Sequence, residues 1–223
     1  MSGSHEWAVG THVADAAALH ALDLPAGRGV WSMQPVRPAF VLGSSQANND
    51  VDETFCMANG VDVVRRRSGG GAVFVHPTDS LWIDVTIPRG DDLWVDDVGR
   101  AMHVVGRAWR TMLESHGMCD LEVNEGPHVA TELSRQLCFA GRGSGEVFVQ
   151  HRKAVGISQR RTRDQARFQC IAYVAWDVAV HVGAIRAVRG RPDAAAELAG
   201  IIPRLDAHIA VEALAAALSR ESA

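Results

Sequence analysis

Lysine is nearly absent from this chain, and its single occurrence is the first candidate for chemistry. Of the 22 basic residues, 21 are arginines and one is a lysine, Lys153. An ammonium group is a compact charge that can lie between two developing negative centres, whereas a planar guanidinium cannot take the same position. Small residues follow the lysine in the segment 153–161. This setting favours a catalytic cation, with an incidental lysine on a hairpin as the alternative.

A second candidate is the glycine-rich segment 65–74, which is Arg-Arg-Arg-Ser-Gly-Gly-Gly-Ala-Val-Phe. Three consecutive glycines between two predicted strands let the backbone approach a ligand closely and present a row of N–H donors. The neighbouring arginines add charged donors at the mouth of such a loop. The segment is neither a Walker A loop nor a dinucleotide fingerprint, because the residues and the helix that should follow are different. We expect an anion- or nucleotide-binding loop, and the alternative is a turn beside a solvated basic patch.

The composition excludes several classes of function. A net charge of −4 gives no basic footprint for nucleic acid, and no apolar segment approaches the roughly eighteen residues of a membrane span. The histidines lack metal-ligand spacing, and the four cysteines form no Cys-x-x-Cys pair, which fits a reducing compartment. With 223 residues, 47 % of them apolar, one domain is expected. We therefore expect a single-domain cytoplasmic protein that binds neither nucleic acid nor membrane.

The periodicity of apolar residues predicts the elements that position these candidates. Helices are predicted at 7–22, 51–59, 91–115, 194–198 and 207–218. Strands are predicted at 40–42, 61–66, 72–75, 81–87, 146–150, 154–158 and 168–174, of which 81–87 should be half-buried. Gly27 and Gly29 are expected in a loop. Helices that bracket and interrupt hairpins predict an α+β fold with a mostly antiparallel sheet and flanking helices.

The two candidate segments together resemble the lipoate-protein ligase family, which is related to biotin ligases and octanoyltransferases. Residues 65–74 are similar to its RRxSGGGAVF signature. Residues 151–159, His-Arg-Lys-Ala-Val-Gly-Ile-Ser-Gln, resemble its Gly-Arg/Lys-Lys-Val/Ile-x-Gly-Ser-Ala-like hairpin, in which the lysine is essential and matches Lys153. The resemblance covers residues 40–177. It implies the biotin/lipoate ligase catalytic fold in one domain, 1–223, without a C-terminal accessory domain.

The resemblance implies a specific chemistry. A ligase of this family condenses a lipoyl carboxylate with ATP, using Mg²⁺, and passes the acyl group from the adenylate to a carrier lysine. Lys153 would bridge the acyl carbonyl and the α-phosphate. Glu146 is a candidate magnesium ligand or, alternatively, a salt-bridged glutamate, and Val73 and Phe74 are candidate tunnel walls or plain core. The implied substrate-binding residues are Arg65, Arg66, Ser68, Gly69, Gly70, Gly71, Ala72, Val73, Gly156 and Ser158.

The Cys-Phe-Ala segment that begins at Cys138 supports a rival activity. A cysteine-dependent octanoyltransferase branch looks similar here, takes octanoyl from acyl carrier protein as a thioester, and uses no ATP. Arg135, Arg142 and Lys153 could supply the positive surroundings that such a thiolate needs. The alternative is a structural cysteine. A third reading of the chain is a noncatalytic relative that binds an acyl group or a nucleotide.

Partners and substrates follow from the same resemblance. The acyl acceptor would be a lipoyl carrier domain of a 2-oxoacid dehydrogenase or the glycine cleavage H protein. The acyl substrate would be lipoate or octanoate, and no cofactor would be permanently bound. A separate small accessory protein is a further expected partner, because two-domain ligases carry an additional domain. In one departure, Val75 stands where many relatives have a histidine, so His76 receives no role.

Overall fold

The computed structural model describes residues 6–203, 205 and 211–222. Its larger sheet has seven strands, and each neighbouring pair is antiparallel except the first, which is parallel. In spatial order the strands are β1 (Ala8–Ala14), β2 (Gly29–Pro35), β6 (Ser80–Pro88), β10 (Gln165–Tyr173), β9 (Arg152–Arg161), β8 (Val147–Val149) and β7 (Leu121–Val123). The predicted α+β class with a mostly antiparallel sheet is confirmed.

A smaller three-stranded sheet, seven α-helices and two 3₁₀ helices (Asn48–Asp50 and Cys138–Ala140) complete the described fold. The smaller sheet has the order β4 (Asp62–Arg65), β3 (Ala39–Leu42) and β5 (Val73–Val75), in which β3 is parallel to β4 and antiparallel to β5. The helices are α1 (Ala16–Ala21), α2 (Glu53–Ala58), α3 (Val98–Ser115), α4 (Glu132–Gln136), α5 (Val178–Ala184), α6 (Ala194–Ala199) and α7 (Val211–Glu221). Within the described ranges, no helix is long and apolar enough to cross a membrane.

The larger sheet is covered on both faces. On one face, Ile83 of β6 joins Trp109 of α3 and residues of α7 in a hydrophobic cluster. On the other face, Trp82 joins Leu19 of α1 and residues of the smaller sheet in another cluster. The prediction of a half-buried strand at 81–87 is therefore wrong, because the side chains on both faces of β6 are buried.

The first half of the helix predicted at 7–22 is wrong, because residues 8–14 form strand β1. Val9 and Val13 are four residues apart, and an even spacing places two side chains on the same face of a strand as well as of a helix. Helix α1 begins only after Asp15, whose Oδ1 accepts a hydrogen bond from the amide of Ala18 at 2.7 Å. The expected loop is also shorter than predicted, since Gly29 already opens β2.

Helix α3 begins seven residues later than its predicted start at 91. Asp97 caps the helix by accepting a hydrogen bond from the amide of Arg100 at 2.8 Å. Asp91, at the predicted start of the helix, instead lies 2.6 Å from Arg28 Nε in a buried ion pair. Asp97 therefore caps the helix, whereas Asp91 forms a long-range salt bridge.

Four short elements were not predicted, namely β2, β7, α4 and α5. Each has at most seven residues, which is too few for a periodic pattern to stand out. The helix predicted at 207–218 corresponds to α7, and residues 207–210 lie outside the described residues. The remaining predicted helices and strands are present with boundaries that differ by a few residues.

A buried ion pair fixes α1 against the larger sheet. Arg167 Nε donates to Asp84 Oδ2 at 2.5 Å, and the other guanidinium nitrogens donate to the carbonyls of Leu19 and Leu22, each at 2.8 Å. Burial raises the pKa of Asp84, and the charge of Arg167 opposes that rise. The arginine thus neutralises the carboxylate and satisfies carbonyls at the carboxyl end of α1.

We expect Arg167→Leu to lower the free energy of unfolding by about 3 kcal/mol, because it leaves Asp84 buried without its counter-ion. Urea denaturation followed by circular dichroism measures the change. Arg191→Leu is the control, since Arg191 forms an exposed pair with Asp193 and should cost far less. Equal losses in the two variants would contradict this role of Arg167.

Candidate active site

Lys153 is buried at the start of β9, with only 2 % of its surface exposed. Its Nζ lies 2.8 Å and 2.7 Å from the two carboxylate oxygens of Glu146 and donates to the carbonyl of Cys138 at 2.8 Å. The residue pairs across the sheet with Phe148, beside an irregularity in the register of β8. The sole lysine of the chain is therefore held rigidly by three oxygen atoms.

Glu146 is the counter-ion of this lysine. It is as buried as Lys153, and its Oε2 also accepts a hydrogen bond from the amide of Gly143. A Cβ on Gly143 would lie 2.9 Å from the carboxylate carbon, so only glycine allows this close approach. The geometry matches the salt-bridged alternative considered for Glu146.

The residues of this region do not form a magnesium site by themselves. Magnesium demands near-octahedral oxygen coordination. Both oxygens of Glu146 are engaged by Lys153, and the described ranges contain no group of three metal-ligating acidic, histidine or cysteine residues.

The glycine-rich loop connects β4 to β5 and is closely packed on one side. Gly70 has a φ of +95°, in the left-handed region that favours glycine. The carbonyl oxygen of Gly70 packs closely against Gly43. A Cβ atom on Gly43 would lie only 1.9 Å from this oxygen. Gly71 packs against the backbone of the segment 134–138, where a Cβ would meet atoms at 2.6 to 2.9 Å. Gly69 has open space beside it and faces a solvent-filled cleft.

The two arginines before the loop have different positions. Arg66 is buried and donates to the carbonyls of Val41, Gly69 and Gly71 at 2.8 to 2.9 Å, so its guanidinium holds the loop from inside. Burial lowers the pKa of Arg66. Arg65 instead donates to carbonyls in the segment 43–46 and to Asn48, and it lines neither of the cavities described next.

Two cavities meet beside Lys153. An open cleft of about 1830 Å³ is lined by Lys153, Glu146, the loop 68–71 and Ser158, among other residues. A narrower inner cavity of about 410 Å³ extends between the two sheets. Cys138, Ile157 and Ser158 line both spaces, so they mark the mouth of the inner cavity. Ser68 and Ser158 lie on either side of the cleft, with their hydroxyl oxygens 3.4 Å apart.

Most of the inner cavity wall is apolar. Val73 lines it, whereas Phe74 points the opposite way and packs with the ring of Phe40 in a separate cluster. Gly156 also lines the inner cavity. A Cβ atom at this position would lie 3.0 Å from the ring of Phe139. Ala72 is buried in the core and lines neither space. Because successive side chains of β5 point to opposite faces, Val73 faces the inner cavity and Phe74 faces the core.

Cys138 is half-buried at the mouth, where its carbonyl rather than its thiol contacts Lys153. A Cβ on Gly70 would lie 3.1 Å from Arg66 Nη2 and 4.0 Å from Cys138 Sγ, so the thiol and the guanidinium flank the same glycine. Cys170 is fully buried and burial raises the pKa of its thiol, which makes it an inert core residue. His76 lies at a turn, lines neither cavity and pairs with Asp79.

Several residues of the cavity wall were not identified from the sequence. The inner cavity, but not the cleft, is also lined by His20 of α1, Trp82 of β6 and Gln169 of β10. These three residues are distant in the sequence, and none belongs to a recognisable local pattern. They come together because α1 packs against the sheet. The sequence analysis placed the start of this helix wrongly, so it did not predict this contact.

The fold thus brings an apolar cavity and an open cleft together beside a glycine loop and a buried lysine. The chain belongs to the lipoyl protein ligase A/B catalytic domain family, whose family model matches residues 15–221. The sequence-based assignment to this family and its ligase or acyltransferase class is confirmed.

Individual relatives agree with the family. Lipoate–protein ligase 1 of Staphylococcus aureus is 40 % identical over 60 residues, which are 26 % of this chain and 18 % of that protein. A crystal structure of lipoate-protein ligase A bound with ATP has a TM-score of 0.68 at 16 % identity, covering 97 % of this chain and 83 % of the other. The bi-partite lipoate protein ligase of Thermoplasma acidophilum, described with its E2 lipoyl domain, has a TM-score of 0.67 at 15 % identity, covering 97 % and 82 %.

Proposed function

We propose that the chain is an ATP-dependent lipoate-protein ligase, which activates lipoate or octanoate as an acyl-adenylate and transfers it to a carrier lysine. The observation that carries the proposal is the position of Lys153. Its ammonium lines the open cleft and is bonded to the carbonyl of Cys138, a residue that lines both cavities. A charge at this junction can act on a carboxyl group in the inner cavity and on a phosphate in the cleft.

The inner cavity is the proposed binding site of the acyl chain. Valine, isoleucine and aromatic side chains form most of its wall, which suits an apolar chain. The carboxyl group would lie at the mouth, between Lys153 and Arg66. Arg66 keeps its charge in place through its bonds to the loop carbonyls, so it contributes a fixed positive potential at that point.

The cleft is the proposed binding site of ATP. Gly69 and Gly70 are exposed there, and their backbone can approach phosphate oxygens without side chains in between. Ser68 and Ser158 add hydroxyl donors at the mouth. Arg65 has a supporting role in this proposal, because it braces the neighbouring segment 43–48. Magnesium would enter with the phosphates rather than bind to a preformed protein cage.

The chemistry follows from these positions. A carboxylate oxygen attacks the α-phosphorus of ATP and pyrophosphate leaves, which gives the acyl-adenylate. The amine of the carrier lysine then attacks the acyl carbonyl carbon, the bond to AMP breaks, and an amide is formed with loss of one proton. Lys153 would neutralise negative charge that builds up on the carbonyl and phosphate oxygens in both steps. Glu146 would keep the ammonium in position.

A second candidate function is the cysteine-dependent octanoyltransferase, which the position of Cys138 favours. Its thiol is half-buried at the mouth, beside the charge of Arg66. The thiolate would attack the thioester of octanoyl-acyl carrier protein, releasing the carrier thiol and forming an octanoyl-cysteine. The carrier lysine would then attack this thioester, and the cysteine thiolate would leave. No nucleotide takes part in this route.

Intact mass analysis of a lipoyl carrier domain distinguishes the two functions. The carrier, a lipoyl domain or glycine cleavage H protein, is incubated with the chain and either ATP plus lipoate or octanoyl-acyl carrier protein. Under the ligase proposal, Cys138→Ser retains most of the ATP-dependent transfer, and pyrophosphate is released stoichiometrically with the product. Addition of a separate small accessory protein tests whether the chain acts alone.

The opposite result would replace the ligase proposal. An inactive Cys138→Ser variant, together with an octanoyl mass on the wild-type chain that hydroxylamine removes, would assign the transferase. Cys119→Ser is the matched control, because Cys119 is exposed and lines neither cavity. Absence of acyl transfer from either donor, with intact binding of acid and nucleotide, would favour a noncatalytic relative.

A further inference from the structure

The cavity proposed for the acyl chain contains polar side chains, among them His20 and Gln169, although most of its wall is apolar. We propose that His20 selects acyl chains that carry a hydrogen-bond acceptor on their distal carbons over plain alkyl chains. This inference rests on the proposed function, in which the cavity holds the acyl chain with its carboxyl group at the mouth. It names the chemistry of the far end of the substrate, which the ligase reaction alone does not specify.

The hydrogen bonding of His20 fixes which nitrogen can reach a ligand. Gln169 Nε2 lies 2.9 Å from His20 Nδ1, and an amide nitrogen is a donor, so Nδ1 is the acceptor. The proton of the neutral ring is therefore on Nε2. Burial, with contributions from Arg66 and Arg167, lowers the pKa of His20 to about 3, so the ring stays neutral near pH 7. Among the described residues, Nε2 has no hydrogen-bond partner.

The surroundings hold the ring in one place. His20 lies in α1, whose carboxyl end is bonded to Arg167, and its ring centroid is 4.5 Å from that of Trp82. His20, Trp82 and Gln169 line the inner cavity but not the cleft, whereas Cys138 and Ser158 line both. The donor therefore faces the inner cavity and not the cleft, and the proposal places the end of a bound acyl chain beside it.

A plain alkyl chain would leave this donor unpaired in a cavity from which it has excluded water, and such a loss is costly. A hydroxyl oxygen on the last carbon would accept the hydrogen bond. A dithiolane would offer a sulfur atom, which is a weaker acceptor but also makes favourable contacts with an aromatic ring such as Trp82. We expect 8-hydroxyoctanoate and lipoate to bind more tightly than octanoate, each by about tenfold.

Isothermal titration calorimetry of the full chain with each free acid tests this order without requiring ATP or transfer. In His20→Leu, octanoate should bind at least as well as before, and the tenfold preference for the two polar-ended acids should disappear. Gln169→Leu is a second variant, which removes the hydrogen bond that fixes the ring and should reduce the preference in the same direction. His116→Leu is the matched control, since His116 is exposed at the end of α3 and should leave all three affinities unchanged.

The outcomes separate this inference from the proposed function. Equal affinities for the three acids in the wild type, or a preference that survives both cavity variants, would overturn the role of His20 and leave the ligase proposal intact. Failure of all three acids to bind would overturn the assignment of the cavity and therefore both proposals. A preference for octanoate in the wild type would also contradict the inference.

Discussion

Lys153→Ala is expected to slow acyl transfer to the carrier domain at least about a hundredfold, the usual effect of removing one transition-state donor. Lys153→Arg should not restore the rate. The ammonium is enclosed by the carboxylate of Glu146 and the carbonyl of Cys138, with the rings of Phe139 and Phe148 centred 5.3 and 5.9 Å away. A planar, larger guanidinium cannot occupy this space in the same way. Single-turnover transfer, measured by intact mass, reports the rate.

A loss of activity in Lys153→Ala could also follow from unfolding, because the variant leaves Glu146 buried without its partner, at a cost of about 3–5 kcal/mol. The double variant Lys153→Met with Glu146→Gln removes both charges and keeps similar volumes. We expect this variant to melt closer to the wild type than Lys153→Ala and to remain inactive. Wild-type transfer by the double variant or by Lys153→Arg would show that the specific ammonium is not required.

The candidate site was predictable where its residues form local patterns. The glycine-rich loop lies between the two strands expected on either side of it, and Lys153 lies beside a strand of the expected hairpin. These features depend on neighbouring residues, since glycine allows unusual backbone angles and β-branched residues favour strands. The sequence therefore identified Lys153 and the loop 68–71, which line the cleft, together with Arg65 and Ala72, which line neither space. It left open whether Glu146 bound a metal or the lysine.

Part of the inner cavity wall was not predictable in the same way. It requires His20, Trp82 and Gln169 to converge from α1, β6 and β10. The convergence depends on tertiary contacts of Arg167 with Asp84 and with α1, which no periodicity reveals. The even spacing of the valines before α1 also fits both a helix and a strand. Local sequence patterns thus predicted the glycine loop and the lysine, whereas long-range packing determined part of the inner cavity wall.

The second large effect is expected from a substitution in the glycine-rich loop. Gly70→Val should abolish binding of an acyl-adenylate analogue, because a branched side chain there would meet Arg66 Nη2 at 3.1 Å and point between the two cavities. A φ of +95° adds strain for any residue other than glycine, so the loop would also shift from its ligand-binding position. Calorimetry with a non-hydrolysable analogue measures the affinity.

Gly60→Val is the matched control for backbone strain. Gly60 has a φ of +68° with open space beside it, and it lines neither cavity. Valine at position 60 should therefore cost a similar amount of backbone strain, of order 1–3 kcal/mol, while the analogue still binds as it does to the wild type. Because the two variants share the strain and differ in location, loss of binding in Gly70→Val alone would place the ligand against the loop. If Gly70→Val bound the analogue as tightly as the wild type does, the loop would be a structural turn, and the cleft would have to bind its nucleotide through other residues.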